Sequence, residues 1–163
     1  MNIFDQAMGI EEKGELLYRQ FASEAPNKGM RNIFIWLADR EREHYEIFRK
    51  MKTGRSVEIT KNTILSDTRQ IFEEWLEKTS CIEPDAKQAD LYRKALEVEK
   101  QSVLVYEKYA GTADVSQKKI FLRIAAEEKG HQRIMESIIE FVTKPETWAE
   151  NVEFSHLNED YDL

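Results

Sequence analysis

Two short stretches carry the chemistry this chain could perform: Leu37-Ala38-Asp39-Arg40-Glu41-Arg42-Glu43-His44 and Ala125-Ala126-Glu127-Glu128-Lys129-Gly130-His131. Each holds a glutamate and a histidine three residues apart, a spacing that puts both side chains on one face of a helix. A carboxylate next to an imidazole can ligate a divalent cation, so Glu41/His44 and Glu128/His131 are candidate metal ligands. One Glu-x-x-His is commonplace on a solvated helix face. A second copy, followed like the first by apolar residues at helical intervals, requires a reason.

The repetition extends further. Glu11 and Tyr18 form a Glu-x6-Tyr pair, and so do Glu99 and Tyr106. Glu11 is separated from Glu99, and Tyr18 from Tyr106, by 88 residues, whereas Glu41 to Glu128 and His44 to His131 are each 87 apart. The one-residue difference falls most simply in a connecting loop, and an internal duplication, in sequence or in function, is the economical reading.

The elements that must position these residues read as helices. Ala7, Gly14, Tyr18, Phe21 and Ala25 recur every three or four positions, which predicts an amphipathic helix over about 5–24 with Glu11 on its inner stripe. Pro26, Asn27 and Gly29 break it, and Asn27 is a natural N-cap for a second helix reaching about Lys52, with Phe34, Leu37, Glu41, His44, Phe48 and Met51 inward. So short a connection makes the pair antiparallel. A third helix, with Pro84 in its first turn and Gly111 as its stop, has the stripe Leu91, Ala95, Glu99, Ser102, Tyr106 and Ala110. Asp114 with Gln117 resembles a capping box and opens a fourth, carrying Phe121, Ile124, Glu128, His131, Met135, Ile138 and Val142 until Pro145. The chain is therefore expected to be all-α, one domain over 1–163: a first hairpin at 5–52, a crossover at 53–84, a second hairpin at 85–142 and a tail at 143–163. Within the crossover, Val57-Glu58-Ile59-Thr60 reads as extended and Ser66 to about Lys78 as a short helix carrying Ile71, Phe72 and Trp75.

Height along the helices is an independent check. Glu11, Glu41, Glu99 and Glu128 each fall about 13 or 14 residues from their turn, a level roughly 20 Å away at ~1.5 Å per residue. Four carboxylates and two imidazoles should then converge in the middle of the bundle. Each unpaired buried carboxylate costs several kcal/mol, and no Lys or Arg lies on the core stripes to offset that. Two divalent cations would match the four negative charges, and a carboxylate-rich site suits hard, oxygen-loving ions. Without metal, desolvation and like charge should raise the pKa values of the core glutamates.

One Glu from each of two helices plus Glu-x-x-His from each of two others is the ligand pattern of the ferritin-like di-iron and di-manganese carboxylate proteins. Within that superfamily the chain resembles rubrerythrin and its relatives, on the run Ala38 to His44 and the two Glu-x6-Tyr helices, across about residues 7–142. The resemblance implies a ferritin-like four-helix bundle in which Glu11, Glu41, His44, Glu99, Glu128 and His131 bind two metal ions per chain, iron first and manganese as the alternative. Glu41 and Glu128 would bridge; Glu11 and Glu99 would be terminal. Tyr18 and Tyr106 would each hydrogen-bond a neighbouring ligand carboxylate, or else be core tyrosines satisfied elsewhere. The implied activity is an oxidoreductase reacting with dioxygen or hydrogen peroxide and supplied by an external electron donor, such as a separate rubredoxin-type protein. An iron-binding or storage protein using the centre as a ferroxidase, and manganese catalase-like peroxide disproportionation, are the alternatives. Ser102 stands where rubrerythrins usually carry a further glutamate.

Composition narrows the remaining classes. A net charge of -7 without a basic stripe argues against nucleic acid. The single cysteine, Cys81, read as a buried inert thiol, excludes an intramolecular disulfide and an appended rubredoxin domain. An acidic N-terminal segment with Asp5, Glu11 and Glu12 shows neither signal peptide nor membrane span, so a cytoplasmic protein is expected. A homo-oligomer is expected, a dimer before a cage, because no fifth long helix follows Val142. Asp39 and Glu127 flank the motifs and read as solvated surface rather than as partners orienting the histidines. Trp36 and Trp75 read as packing or oligomer contacts, and His156 as an exposed tail residue.

Overall fold

The structure is a computed structural model that describes residues 2–58 and 85–144. It contains α1 (Ile3–Glu24), α2 (Lys28–Lys52), α3 (Ala86–Thr112) and α4 (Val115–Thr143), with no strand among the described residues. The architecture is the all-α, ferritin-like four-helix bundle. The expected short crossover helix, Cys81, Trp75, His156 and the tail beyond Lys144 lie outside the described residues, as do Pro84 and Pro145.

Side-chain caps set most boundaries. Asn2 Oδ1 accepts from the Phe4 N–H, which starts α1 two residues earlier than the apolar period suggested. Asn27 caps α2 by accepting from the Met30 N–H at 2.9 Å, and Asp114 caps α4 by accepting from the Gln117 N–H at 2.9 Å, both as expected. Asp85 caps α3 through the N–H groups of Lys87 and Gln88. α2 stops at Gly54, whose φ of 68° lies in the left-handed region that an L side chain resists. Two details of α3 differ from the sequence reading. Gly111 lies inside the helix, which runs on to Thr112, and Leu91 is exposed while Ala89, Tyr92 and Leu96 are buried. The helical period admits both phases at the end of an element, and aromatic packing of Tyr92 on Phe21 and Phe34, with ring centroids 5.2 Å apart in each case, selects one.

The main contacts are α1 with α2 and α3 with α4, and the two hairpins meet where α1 crosses α3 and α2 crosses α4. Two apolar clusters show the directions. One joins the C-terminal half of α1 (Tyr18, Phe21) to the N-terminal half of α2 (Met30, Ile33, Phe34, Leu37), the start of α3 (Ala89, Tyr92) and the end of α4 (Ile134, Ile138). The other joins Phe4, Phe48, Tyr106, Phe121 and Ile124 from the opposite halves of the same helices. Hence α3 opposes α1 and α4 opposes α2, and the two tight turns lie at opposite ends. α2 ends and α3 begins at opposite ends as well, the arrangement a crossover connection serves. The glutamates and histidines of interest fall between the clusters on all four helices.

Phe121 is fully buried and stacks on Phe4 and Phe48. Phe121→Ala should destabilise the fold by about 3–5 kcal/mol. Leu122→Ala, next to it but 42% exposed, should change stability by less than about 0.5 kcal/mol. Denaturant melts of the two variants check the contrast, and similar losses would mean that this cluster is not a packing unit.

Candidate metal centre

Glu11 on α1, Glu41 and His44 on α2, Glu99 on α3, and Glu128 and His131 on α4 are all buried, none more than 4% exposed. They form two groups whose potential ligand atoms lie within 4.8 Å of one another: Glu11, Glu41, His44 and Glu128 in one, and Glu41, Glu99, Glu128 and His131 in the other. Glu41 and Glu128 belong to both. His44 Nδ1 lies 2.8 Å from Glu128 Oε1 and 3.4 Å from Glu11 Oε2. His131 Nδ1 lies 2.9 Å from Glu41 Oε1 and 3.1 Å from Glu128 Oε2. The two imidazoles lie nearly parallel, 5.8 Å apart at their centroids.

Glu11 Oε2, Glu41 Oε1, His44 Nδ1 and Glu128 Oε1 are buried and have no hydrogen-bond partner among the described residues. They are close to one another yet lack hydrogen-bond directionality, as expected of atoms aimed at a common third point. A buried orphan acceptor costs about 1–3 kcal/mol, more when charged. Two hard divalent cations, each facing one imidazole and three carboxylates, would satisfy these atoms and balance their charge. The residues therefore fit a dinuclear metal group.

Protons do part of that work in the metal-free centre. Burial, followed by the charges of Glu41 and Glu128, pushes Glu11 and Glu99 well above the usual carboxylate range. Burial disfavours an ionised Glu128 too, but the charges and hydrogen bonds of His131 and His44 overcome it and hold Glu128 well below that range. The general rise expected for the core glutamates thus fails at Glu128, because both imidazoles approach it. Burial opposes protonation of the histidines. Against it, Glu11, Glu127 and Glu128 push His44 well up, and Glu128 and Glu41 raise His131 to about 9.

The tyrosines reach across the hairpins. Tyr18 on α1 donates its hydroxyl hydrogen bond to Glu99 Oε1 on α3, and Tyr106 on α3 donates to Glu11 Oε1 on α1. This reciprocity places Glu11 and Glu99 on opposite sides of one centre, and it accounts for the Glu-x6-Tyr spacing in both halves. Gly14 has a steric role: a Cβ there would lie 2.6 Å from Glu41 Oε2. Its counterpart in the second half, 88 residues on, is Ser102, which is buried and donates to the Glu99 carbonyl at 2.7 Å.

Glu127 is the residue that the sequence reading misplaced. It is 4% exposed rather than solvated, and its Oε2 accepts from His44 Nε2 at 2.9 Å and from Arg40 Nη2 at 2.8 Å. Arg123 Nε approaches its other oxygen at 3.4 Å. Burial alone would raise its pKa, but the His44 and Arg40 contacts bring it down to about 2. One signal was available: Glu127 and Arg40 occupy equivalent places 87 residues apart and carry opposite charges. Asp39 is exposed and pairs with Arg19 at 2.7 Å. Trp36 is partly buried and lies nearly perpendicular to the His131 ring, with centroids 6.1 Å apart.

A buried centre of this composition, midway along a bundle of this topology, is that of the ferritin-like di-iron carboxylate superfamily. The chain belongs to the rubrerythrin family, whose family model, described as Rubrerythrin, matches residues 2–83 and 90–157. No curated protein and no solved structure matches the chain. No described helix is long and apolar enough to cross a membrane.

Two expectations follow. His131, about 9 against an ordinary 6.5, contributes stability that is complete below 6.5 and lost as pH rises through 9. Glu11 and Glu99, also raised, act in the same direction. Glu127, about 2 against 4.5, contributes above 4.5 and loses that contribution as pH falls through 2. The metal-free protein should therefore melt at a lower temperature at pH 9 than at pH 6. Added metal displaces the protons on these groups, so its stabilising shift should be larger at pH 8 than at pH 6. Equal shifts in thermal melts would mean that the carboxylates are solvated. Gly14→Ala, in turn, should force Glu41 from its place and lower metal affinity about tenfold or more, read by titration calorimetry, whereas Gly9→Ala, where nothing lies within 4 Å of the added carbon, should not.

Proposed function

We propose that this protein is a dinuclear metal oxidoreductase, with iron as the metal, that reduces hydrogen peroxide or dioxygen using electrons from an external donor. The observation that carries this reading is the sharing of Glu41 and Glu128 by two buried ligand groups, each completed by one histidine and one further glutamate. His44 and Glu11 would hold one ion, His131 and Glu99 the other, and the shared glutamates both. The bound pair supplies a two-electron redox couple and Lewis acidity.

The remaining work belongs to the chain. Tyr106 and Tyr18 fix the carboxylates of Glu11 and Glu99 by hydrogen bonds. The clusters around Phe34 and Phe121 close the centre at both ends of the bundle and limit water. Glu11 and Glu99, which favour the protonated form without metal, would release their protons on binding it and could take them back when charge is removed. With the second half carrying Ser102, the centre relies on six side chains for its ligands.

The test is anaerobic loading with Fe(II) followed by oxidant. One hydrogen peroxide should oxidise two Fe(II) per chain, with two protons taken up and two waters formed, and a reductant such as a reduced rubredoxin should sustain turnover. Glu41→Ala should lower that turnover at least about a hundredfold. Uptake of many iron ions per chain into a large shell would establish storage instead. Donor-independent disproportionation of peroxide by the manganese form would establish catalase chemistry.

A further inference from the structure

The two halves of the centre repeat their ligands but not what stands behind the histidines. His44 Nε2 donates to Glu127, a buried carboxylate that Arg40 and Arg123 hold from the far side. That hydrogen bond assigns the ring proton to Nε2 and leaves the Nδ1 lone pair for the cluster, with a ring orientation fixed by two attachments. His131 is fully buried, and its Nε2 has no hydrogen-bond partner among the described residues. Its neighbour on that side of the pseudosymmetric pair is decided by the repeat: the place of Glu127 is taken, 87 residues earlier, by Arg40. A guanidinium has only donors to offer and cannot accept from an imidazole N–H. Arg40 is turned instead to Glu127, and its own Nε has no partner among the described residues. A single ion pair, Arg40 with Glu127, thus serves one histidine, while no such pair among the described residues stands behind the other.

Resting on the dinuclear reading above, we propose that the two metal positions are unequal: the one formed by His44, Glu11, Glu41 and Glu128 binds a divalent ion more tightly and fills first, with Glu127 as its positioning residue. The physical cause is the carboxylate behind His44. It pre-orients the ring and makes the ligating nitrogen a better donor, and outer partners of this type change metal affinity by about 10–100-fold. His131 is held only through Nδ1, by Glu41 and Glu128, and no polar group among the described residues holds its outer nitrogen, so the second position lacks the outer attachment that the first has. The shared glutamates mean that both positions draw on the same carboxylates. The difference between them therefore lies in what is not shared: Glu11 with His44 and Glu127 on one side, Glu99 with His131 on the other.

Stepwise binding alone does not test this, since two cations on common bridges repel each other in any dinuclear site. The position filled first does. Apo protein would be titrated anaerobically with Co(II), read by its visible absorption and by calorimetry, in the wild type and in the variants H44A, H131A and E127Q. The wild type should take two ions per chain. The H131A variant should keep the tighter step, whereas H44A should bind its first ion about 10–100-fold more weakly than H131A. The E127Q variant, close to isosteric, should weaken the first step by a similar factor. Equal first-ion affinities in H44A and H131A would overturn the proposal, whether or not E127Q folds. So would a folded E127Q whose first step stays within about threefold of wild type. A wild type that never takes more than one ion would instead defeat the dinuclear reading itself.

Discussion

Everything in this bundle answers to the burial of Glu11, Glu41, Glu99 and Glu128 beside two imidazoles in an apolar interior. Such a group of acids is several kcal/mol unfavourable per uncompensated charge, and the cost is met only where positive charge arrives from every side. Without metal, the imidazoles of His44 and His131, with protons retained on Glu11 and Glu99, carry part of that compensation. Two divalent ions would carry all of it. The apolar clusters on either side hold the helices at a spacing where the carboxylates cannot separate, so protonation, metal affinity and fold stability are linked quantities in this protein.

The site is also built from reciprocal reach. Each hairpin supplies a glutamate whose oxygen is fixed by a tyrosine of the other, Tyr18 to Glu99 and Tyr106 to Glu11. Neither hairpin completes either ligand group alone, since both groups take residues from α2 and α4. The centre therefore couples the two halves of the chain, as the two apolar clusters on either side of it also do. Departures from the repeat sit around this symmetric frame: Gly14 against Ser102, and Arg40 against Glu127. The first gives the Glu41 carboxylate room beside the α1 backbone. The second sets a charged pair across the α2 and α4 interface, partly out of solvent, where its strength is greater than on an open surface.

The sequence by itself determined the fold class, the four helices and the six residues that meet at the centre. The reason is that the Glu-x-x-His and Glu-x6-Tyr spacings fall on the same 3.6-residue stripe as the core apolar residues, and helix rise converts position into height. Caps at Asn27 and Asp114 were equally legible, being local chemistry. Tertiary structure decided what depends on neighbours from other elements. It placed Glu127 behind His44 instead of in solvent, because a residue at the edge of the α4 stripe is buried only if α2 presents Arg40 to it. It turned Tyr92 inward and Leu91 outward, because Phe21 and Phe34 offered aromatic faces there. It lowered Glu128 while raising Glu11 and Glu99, because three-dimensional approach by both imidazoles, invisible in any one helix, determines which carboxylate keeps its charge.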